Sequence, residues 1–472
     1  MTDFIWANWQ VLDFLLVMLG LVVYVSISQT LNQRRHPSAA IAWVLGILLV
    51  PYLALPLYLA FGTRKVAASR TPPAAHQVSV SVAASYPTML RSLQLGAAMG
   101  IPDPVSYDSL NIHTDGTDAL NALRRVISGA VISLEVSTFL IGRDALGGEI
   151  LKLLEQRACA GVRVRLLIDG IGIYLGGYLD LKRLKDAGIE VLRFVPPFSS
   201  PKRGRTNLRN HRKMVVADGK YLWCGGRNLA AEYFEGGPRA FFWRRAPWID
   251  LSFDLSGELV AQAYGQFERD WAFASEREEP PLAAATTRGV AGASSALAQL
   301  VDSGPDRPDD TIFTLLVSAC FTSRQRILAI TPYFVPDSTL LNALALAARR
   351  GISVDLVIPA RSNHKLADFA RHRSLRDLTA AGARVFIHPR MVHAKAVLVD
   401  DELALVGSAN LDGRSLFLNY EMMIAFYDRQ AVADFARWVE SRREECAPYL
   451  SRRPGLAREI AEGLLLWLAF QL

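Results

Sequence analysis

Two long apolar segments precede the rest of the chain, in which apolar and polar residues alternate over shorter distances. They cover residues 9–28 and 39–62, and each is close to the ~20 apolar residues that span the hydrocarbon core of a bilayer. Both predict membrane helices; a pair of buried core helices is the alternative, and a cleaved signal peptide is disfavoured because no positive charge precedes the first segment. Pro51 and Pro56 interrupt the second segment, so the hairpin is predicted to be transmembrane or re-entrant.

Short apolar runs of strand length then alternate with segments of helical length, and the whole pattern occurs twice. The strand-like runs are residues 131–141, 162–169 and 189–195, followed by residues 326–335, 352–359 and 383–389. This order predicts the α/β class, with two tandem α/β/α units that form a bilobed catalytic domain of pseudo-twofold symmetry. The functional site is expected where the two units meet.

The change in pattern along the chain also predicts its domain boundaries. We expect a membrane anchor over residues 1–66, a linker over residues 67–109, a first unit over residues 110–290 and a second unit over residues 291–450. Residues 451–472 are apolar over their last turns, which is typical either of a membrane-associated helix or of a cap on the core.

Each unit ends with a histidine and a lysine two positions apart and an aspartate five positions later. The sequence HRKMVVAD begins at His211, and HAKAVLVD begins at His393. Residues at i and i+2 of a strand face the same way, so Lys213 is predicted to project with His211, and Lys395 with His393, into one cleft.

An asparagine follows each histidine by 17 residues, at Asn228 and Asn410. Lysine and amide groups donate hydrogen bonds to phosphate oxygens, and two imidazoles can serve as nucleophile and general acid/base. The set therefore predicts phosphodiester chemistry that uses no metal or other cofactor. The motif residues Asp218 and Asp400 are interpreted as orienting or structural.

The composition favours partners that carry negative charge but does not distinguish between the kinds of anionic partner. A net charge of +7 favours anionic lipid, nucleic acid or a phosphorylated substrate. The four cysteines have no paired or zinc-like spacing, which favours a reducing compartment and hence a cytoplasmic catalytic domain. The basic stretch PKRGRTNLRN, which includes Arg209, is expected to gather anionic head groups at the cleft mouth; a solvated loop and a nucleic-acid-binding loop are the alternatives.

The segments RNHRKMVVADGKYLWCGGRN, ITPYFVPD and MVHAKAVLVDDELALVGSAN resemble the phospholipase D superfamily and, more closely, the bacterial cardiolipin synthases. The resemblance implies phosphatidyl transfer from one phosphatidylglycerol to another through a phosphohistidine, with His211 as the expected nucleophile. It also implies a carboxylate behind each histidine. Glu421 matches this position in the second copy, and Asp250 matches it in the first, with Asp254 as a rival.

The same resemblance implies a bacterial inner-membrane enzyme whose partners are the bilayer, phosphatidylglycerol and other anionic phospholipids, and not nucleic acid. Three alternatives remain open from the residues alone. A membrane phospholipase D would pass the same intermediate to water, an anchored nuclease would use the same motifs, and a scaffold would use none of them.

Overall fold

The computed structural model describes residues 9–30, 37–62, 86–177, 179–196, 207–237, 246–277, 296–459 and 462. Three helices form the N-terminal hairpin: α1 (Trp9–Thr30), α2 (Pro37–Leu49) and α3 (Pro51–Phe61). Within this part of the chain, the stretch Trp9–Ser26 of α1 is long and apolar enough to cross a membrane, whereas α2 and α3 are shorter.

The second apolar segment is divided in two at Val50, whose backbone leaves the helical region (φ −142°, ψ 61°). Pro51 causes the break because its ring disfavours helical geometry in the preceding residue. The predicted interruption at Pro51 is thus confirmed, but Pro56 lies inside α3 and does not end it. The two short helices pack against each other and against α1.

The chain after the hairpin forms two lobes preceded by α4 (Pro87–Ala98) and β1 (Val105–Ser106). The first lobe contains β2 (Leu110–Ile112), α5 (Gly116–Gly129), β3 (Ser133–Thr138), α6 (Ala145–Cys159), β4 (Arg163–Asp169), α7 (Gly172–Leu175), α8 (Leu181–Asp186), β5 (Glu190–Phe194), β6 (Met214–Ala217), β7 (Tyr221–Gly225), β8 (Ser252–Ser256) and α9 (Leu259–Ser275). The second lobe contains β9 (Leu297–Ser303), α10 (Thr311–Thr322), β10 (Arg326–Ile330), β11 (Phe334–Val335), α11 (Ser338–Arg349), β12 (Ser353–Pro359), α12 (Lys365–Ala380), β13 (Arg384–His388), β14 (Ala396–Val399), β15 (Leu403–Gly407), β16 (Leu411–Asp412), α13 (Gly413–Phe417), β17 (Glu421–Phe426), α14 (Arg429–Arg443) and β18 (Ala447–Pro448).

The two main sheets confirm the predicted duplication. The first lobe has the strand order β2-β8-β7-β6-β3-β4-β5, and the second has β9-β17-β15-β14-β10-β12-β13 flanked by β1 and β18. Each strand of the first order therefore has a counterpart in the second. In both lobes a parallel trio (β3-β4-β5; β10-β12-β13) is joined to an antiparallel strand that carries the repeated motif (β6; β14).

Residues 86–109, which were predicted to belong to a linker, instead contain folded elements. There α4 packs against α10, and β1 adds an antiparallel edge to β9, so the chain enters the second lobe before it builds the first. The carboxylate of Glu402 accepts hydrogen bonds from the backbone N–H groups of Thr88 (2.7 Å) and Met89 (3.1 Å). The segment is folded because α4 has an apolar face, including Leu93, that the second lobe buries.

One apolar core joins the lobes beneath the motifs. Phe253 of β8 lies with its ring centroid 5.5 Å from that of Phe426 of β17, which is 5.0 Å from Phe435 of α14. The lobes are therefore held by packed aromatic rings, which meet edge-to-face or tilted at separations that favour attraction. Of the predicted C-terminal helix only residues 451–459 and 462 are described, and there Glu462 is buried against Arg376 of α12 (2.5 Å).

Candidate active site

The repeated motifs place their histidines and lysines immediately before strands, not on them as predicted. His211 and Lys213 precede β6, and His393 and Lys395 precede β14. Because β6 and β14 run antiparallel to β3 and β10, these residues still lie at the edge where the parallel strands end. Both motifs therefore open onto the same cleft.

Each histidine segment pairs with a segment of the other lobe. The His211 N–H donates to the carbonyl of Tyr420 (2.9 Å), and the Tyr420 N–H donates to the carbonyl of Arg209 (2.8 Å). The second lobe repeats this arrangement: the His393 N–H donates to the carbonyl of Ile249 (2.6 Å), whose own N–H donates to Met391 (2.9 Å). The residue after each paired segment is a buried carboxylate.

These carboxylates therefore serve the histidine of the opposite copy. Glu421 Oε1 lies 3.3 Å from His211 Nδ1, and Asp250 Oδ2 lies 2.7 Å from His393 Nδ1. The sequence analysis identified both acids but assigned each one to the histidine of its own copy. The observed pairing crosses between the lobes, and it depends on how the two lobes pack against each other. A carboxylate at Nδ1 holds the proton there and leaves Nε2 as the free base. The rival Asp254 instead faces His113 Nε2 (3.3 Å).

Three side chains fix Glu421, and sequence reasoning missed all of them. Ser408 Oγ (2.5 Å) and Ser415 Oγ (2.6 Å) donate to its two oxygens, and Asn419 Nδ2 lies 3.2 Å from Oε1 and 3.2 Å from His211 Nδ1. Burial favours the neutral acid, but His211 and these donors outweigh burial and lower the pKa of Glu421. Glu421 is therefore an ionised partner for His211.

The site sets two buried lysines opposite its two buried carboxylates. Lys213 Nζ donates to the carbonyl of His211 (2.6 Å), and Lys395 Nζ lies 2.6 Å from His393 Nδ1 and 3.1 Å from Nε2. Burial lowers the pKa of Lys213 to about 8 and that of Lys395 to about 7. Burial and the neighbouring Lys395 lower the pKa of His393 to about 4. An anionic group in the cleft would restore the charged lysines, so the site favours a phosphate.

The two asparagines have unmet hydrogen-bonding capacity. Among the described residues the buried carbonyl oxygens of Asn228 and Asn410 have no partner, while Asn228 Nδ2 lies 2.8 Å from the Tyr233 hydroxyl. A half-turn of the Asn228 amide would let that hydroxyl donate to the carbonyl oxygen and would free Nδ2 to donate to a substrate oxygen. Asn410 donates its backbone N–H to Ser415 Oγ (2.8 Å), which ties it to the Glu421 cluster.

Asp218 and Asp400 do not join this cluster, because they lie at the other ends of β6 and β14. Asp218 accepts backbone N–H bonds from residues 131–133 at 2.7 to 3.1 Å, and Asp400 accepts the equivalent bonds from residues 324–326 at 2.7 to 3.0 Å. Both anchor the start of a parallel strand. The structure thus favours the structural interpretation of these two aspartates.

Aromatic side chains that the sequence analysis did not select line the cleft. The ring of Phe139 is 4.5 Å from that of His211, and the rings of Tyr233 and Trp248 are 5.0 and 5.6 Å from that of His393. The available signal was the position of Phe139 directly after β3 and of Trp248 two residues before Asp250. Arg209, expected at the cleft mouth, is instead buried with Asp169 (3.3 Å); the rest of the basic stretch before Asn207 lies outside the described residues.

Comparisons with known proteins agree with this geometry. The chain matches the family described as "Cardiolipin synthase, PLD-like domain" over residues 123–271 and 316–443, and the "Phospholipase_D-nuclease N-terminal" family over residues 16–62. It is 33% identical to Cardiolipin synthase A of Pseudomonas syringae pv. syringae (strain B728a), over 90% of this chain and 88% of that protein. It is 32% identical to the protein of the same name from Pseudomonas aeruginosa (strain LESB58), over 92% of each.

A similar fold is found in phosphatidylserine synthase of Haemophilus influenzae Rd KW20. The TM-score is 0.63 with 14% sequence identity, and the match covers 81% of this chain and all of that one. At this identity the likeness shows a shared fold and nothing about activity.

Proposed function

The chain belongs to the cardiolipin synthases, a family of phosphatidyltransferases with phospholipase D-like domains, and we propose that it transfers the phosphatidyl group of one phosphatidylglycerol to another. The products are cardiolipin and glycerol. The observation that carries the proposal is the pair of histidines, each with an ionised carboxylate at Nδ1 from the opposite lobe, around a lysine- and asparagine-lined cleft.

In the proposed first step, His211 Nε2 attacks the phosphorus of phosphatidylglycerol. The bond from phosphorus to the glycerol oxygen breaks, and that oxygen takes the Nε2 proton of His393, which enters this step as an imidazolium because the bound anionic phosphate and Asp250 favour the charged ring. Lys213, Lys395, Asn228 and Asn410 donate to the phosphoryl oxygens and offset the charge that develops on them. We assign the attack to His211 because its side chain is 23% exposed, against 9% for His393, and a nucleophile needs access to the substrate.

The second step reverses the roles of the groups. A hydroxyl of a second phosphatidylglycerol gives its proton to His393 Nε2 and attacks the phosphorus of the phosphatidyl-histidine. The P–N bond breaks and His211 is regenerated. Glu421 and Asp250 hold the two imidazoles in the tautomer that each step requires. We place this reaction at a bacterial inner membrane, with the catalytic lobes on the cytoplasmic side.

Lipid analysis of the purified, detergent-solubilised protein with phosphatidylglycerol tests the proposal. We expect cardiolipin and free glycerol, both abolished in His211→Ala and His393→Ala. Phosphatidic acid as the main product would instead identify a phospholipase D that uses water as the acceptor. No turnover of any phospholipid, with salt-sensitive binding of DNA, would point to the nuclease alternative.

A further inference from the structure

We propose that two matched loops at the mouth of the cleft rest on an anionic bilayer, so that phospholipids enter the site directly from the membrane. This inference rests on the proposed function, since it takes the substrates to be two-chain lipids. The two mouth loops are residues 170–177, which include α7, and residues 360–367, which lead into α12.

Topology places both mouth loops at the edge where the histidines lie. The first follows β4 and the second follows β12, which are counterparts in the two sheets. Both strands run parallel to their neighbours β3 and β10, so they end at the same edge. The loops therefore flank the cleft from opposite lobes.

Close contacts fix the first mouth loop beside His211. Asp169 accepts backbone N–H bonds from Gly172 (3.0 Å) and from Asn210 (2.8 Å), the residue before His211. A Cβ on Gly172 would lie 1.7 Å from the carbonyl oxygen of Phe139, whose ring contacts His211. This close approach leaves α7 little freedom to move away from the site.

The second mouth loop contacts the corresponding segment of the other lobe through different side chains. The Thr331 hydroxyl donates to the carbonyl of Tyr333 (3.0 Å), as Thr138 does to Leu140 (3.1 Å) in the first lobe. The Tyr333 hydroxyl in turn lies 2.5 Å from the side-chain oxygen of Asn363 in the mouth loop. The two loops are thus supported by equivalent backbone segments.

Both mouth loops present the residue types that lie at membrane interfaces. The exposed residues are Tyr174 and Leu175 with the adjoining Arg143 on the first lobe, and Leu366 with Arg361 and Lys365 on the second. Apolar side chains enter the boundary of the acyl chains, and cations pair with anionic head groups. The same mixture at two equivalent positions around one cleft favours an anionic bilayer as the partner.

The cost of moving a lipid into water supports this orientation. Each methylene withdrawn from the bilayer costs free energy, and a cleft that opened to water would require two whole acyl chains to be withdrawn. A mouth on the membrane lets the chains remain in lipid while the phosphate reaches the histidines. The exposed pair Val131 and Ile132 lies at the far edge of the first-lobe sheet and offers no such route.

The test measures which residues of the full-length protein contact lipid. In a background with Cys159→Ser and Cys446→Ser, which removes the accessible thiols, Leu175→Cys and Leu366→Cys are labelled with an environment-sensitive fluorophore. Ile132→Cys is the matched control, since Ile132 and Leu175 are both 67% exposed. The labelled proteins are reconstituted into vesicles of phosphatidylglycerol and phosphatidylcholine, with or without a spin-labelled quenching lipid.

We expect the quenching lipid to reduce fluorescence at positions 175 and 366 at least about twofold more than at position 132. Equal quenching at all three positions, or stronger quenching at 132, would overturn the proposal. This readout does not require turnover, so a protein that makes no cardiolipin but shows the expected quenching would refute the proposed function alone. In an active protein, Leu175→Ser with Leu366→Ser should lower the ratio of vesicle to detergent-dispersed turnover about fivefold, whereas Val131→Ser with Ile132→Ser should not.

Discussion

His211 and His393 occupy related but unequal surroundings. The carboxylate of Glu421, the partner of His211, accepts hydrogen bonds from two serines and an asparagine. Asp250 lies closer to its histidine, and Lys395 also contacts Nδ1 of His393. His393 is also the more buried of the two. Equivalent motifs have therefore diverged in their immediate contacts, which is what two different roles in one reaction require.

The carboxylates should separate the two roles. A phosphatidyl ester of p-nitrophenol has a leaving group that needs no proton, so its first step depends on the nucleophile alone. We expect Glu421→Gln to slow the burst of nitrophenol about 10²- to 10⁴-fold, because His211 loses its orienting partner, and Asp250→Asn to leave that burst nearly intact. Rapid-mixing absorbance measures both. The opposite outcome would make His393 the nucleophile.

We expect Lys395 to be required for turnover but to lower the stability of the folded protein. Burial lowers the pKa of Lys395 from 10.5 to about 7 in the folded protein. The unfolded chain therefore binds this proton more tightly than the folded protein does, which lowers the free energy of unfolding. That penalty is largest below pH 7 and declines as the pH rises from about 7 to 10.5. We expect Lys395→Met to abolish turnover yet raise the unfolding midpoint by roughly 4 °C or more at pH 7 and less at pH 10, as thermal unfolding in detergent will show. A lower midpoint at pH 7 would contradict this.

At the scale of the element, the strand β6 or β14 links a catalytic end to a structural end. The histidine and lysine precede the strand, and the aspartate follows it in a left-handed turn, with φ +54° at both Asp218 and Asp400. Aspartate tolerates this conformation better than most residues. Its carboxylate then binds the backbone where the neighbouring parallel strand begins, which sets the register between the two strands.

Loss of this anchor should affect stability and not chemistry. Asp218→Ala removes three charge-assisted backbone bonds, and we expect it to lower the free energy of unfolding by about 2 kcal/mol. Turnover per folded molecule should stay within about twofold of the unaltered protein. Urea unfolding measures the change in the free energy of unfolding. Turnover at low temperature, divided by the folded fraction, measures the activity of each folded molecule. A folded Asp218→Ala protein without activity would restore a catalytic role.

For the whole molecule, the lobes act as one unit because each completes the other's site. Arg212, fully buried, donates from Nε to the carbonyl of Glu421 (3.0 Å) and from Nη2 to that of Ser303 (3.0 Å), and pairs with Asp270. Its counterpart in the second motif is Ala394. The lobes are therefore joined by polar bonds next to the site as well as by the aromatic core beneath it.

We expect the N-terminal hairpin to attach the protein to the membrane without stabilising the two lobes. The helices α1 to α3 pack on one another, and many of their apolar side chains are exposed, as lipid-facing residues would be. We expect a protein lacking residues 1–62 to keep its thermal midpoint and to turn over detergent-dispersed lipid, but to sediment poorly with vesicles. A large fall in the midpoint would show that the hairpin also supports the lobes.

The sequence predicted those parts of the molecule that are repeated or locally patterned. The six apolar runs became β3, β4, β5, β10, β12 and β13, because alternating or fully apolar runs of that length are buried in parallel sheets. It did not predict that α4 and β1 belong to the second lobe, nor that Glu421 serves His211. Both depend on contacts between residues more than 190 positions apart, which no local pattern records.

The exchange of carboxylates between lobes has a consequence during protein synthesis. His211 leaves the ribosome about 210 residues before Glu421, so the nascent first lobe holds its nucleophile without the partner that orients it. An unfinished chain held at a membrane by its N-terminal hairpin would therefore meet phospholipid before the site of the proposed reaction is complete. Reactivity towards the surrounding bilayer is thus withheld until Glu421 has been synthesised, and chains released before residue 421 should be inert in lipid turnover.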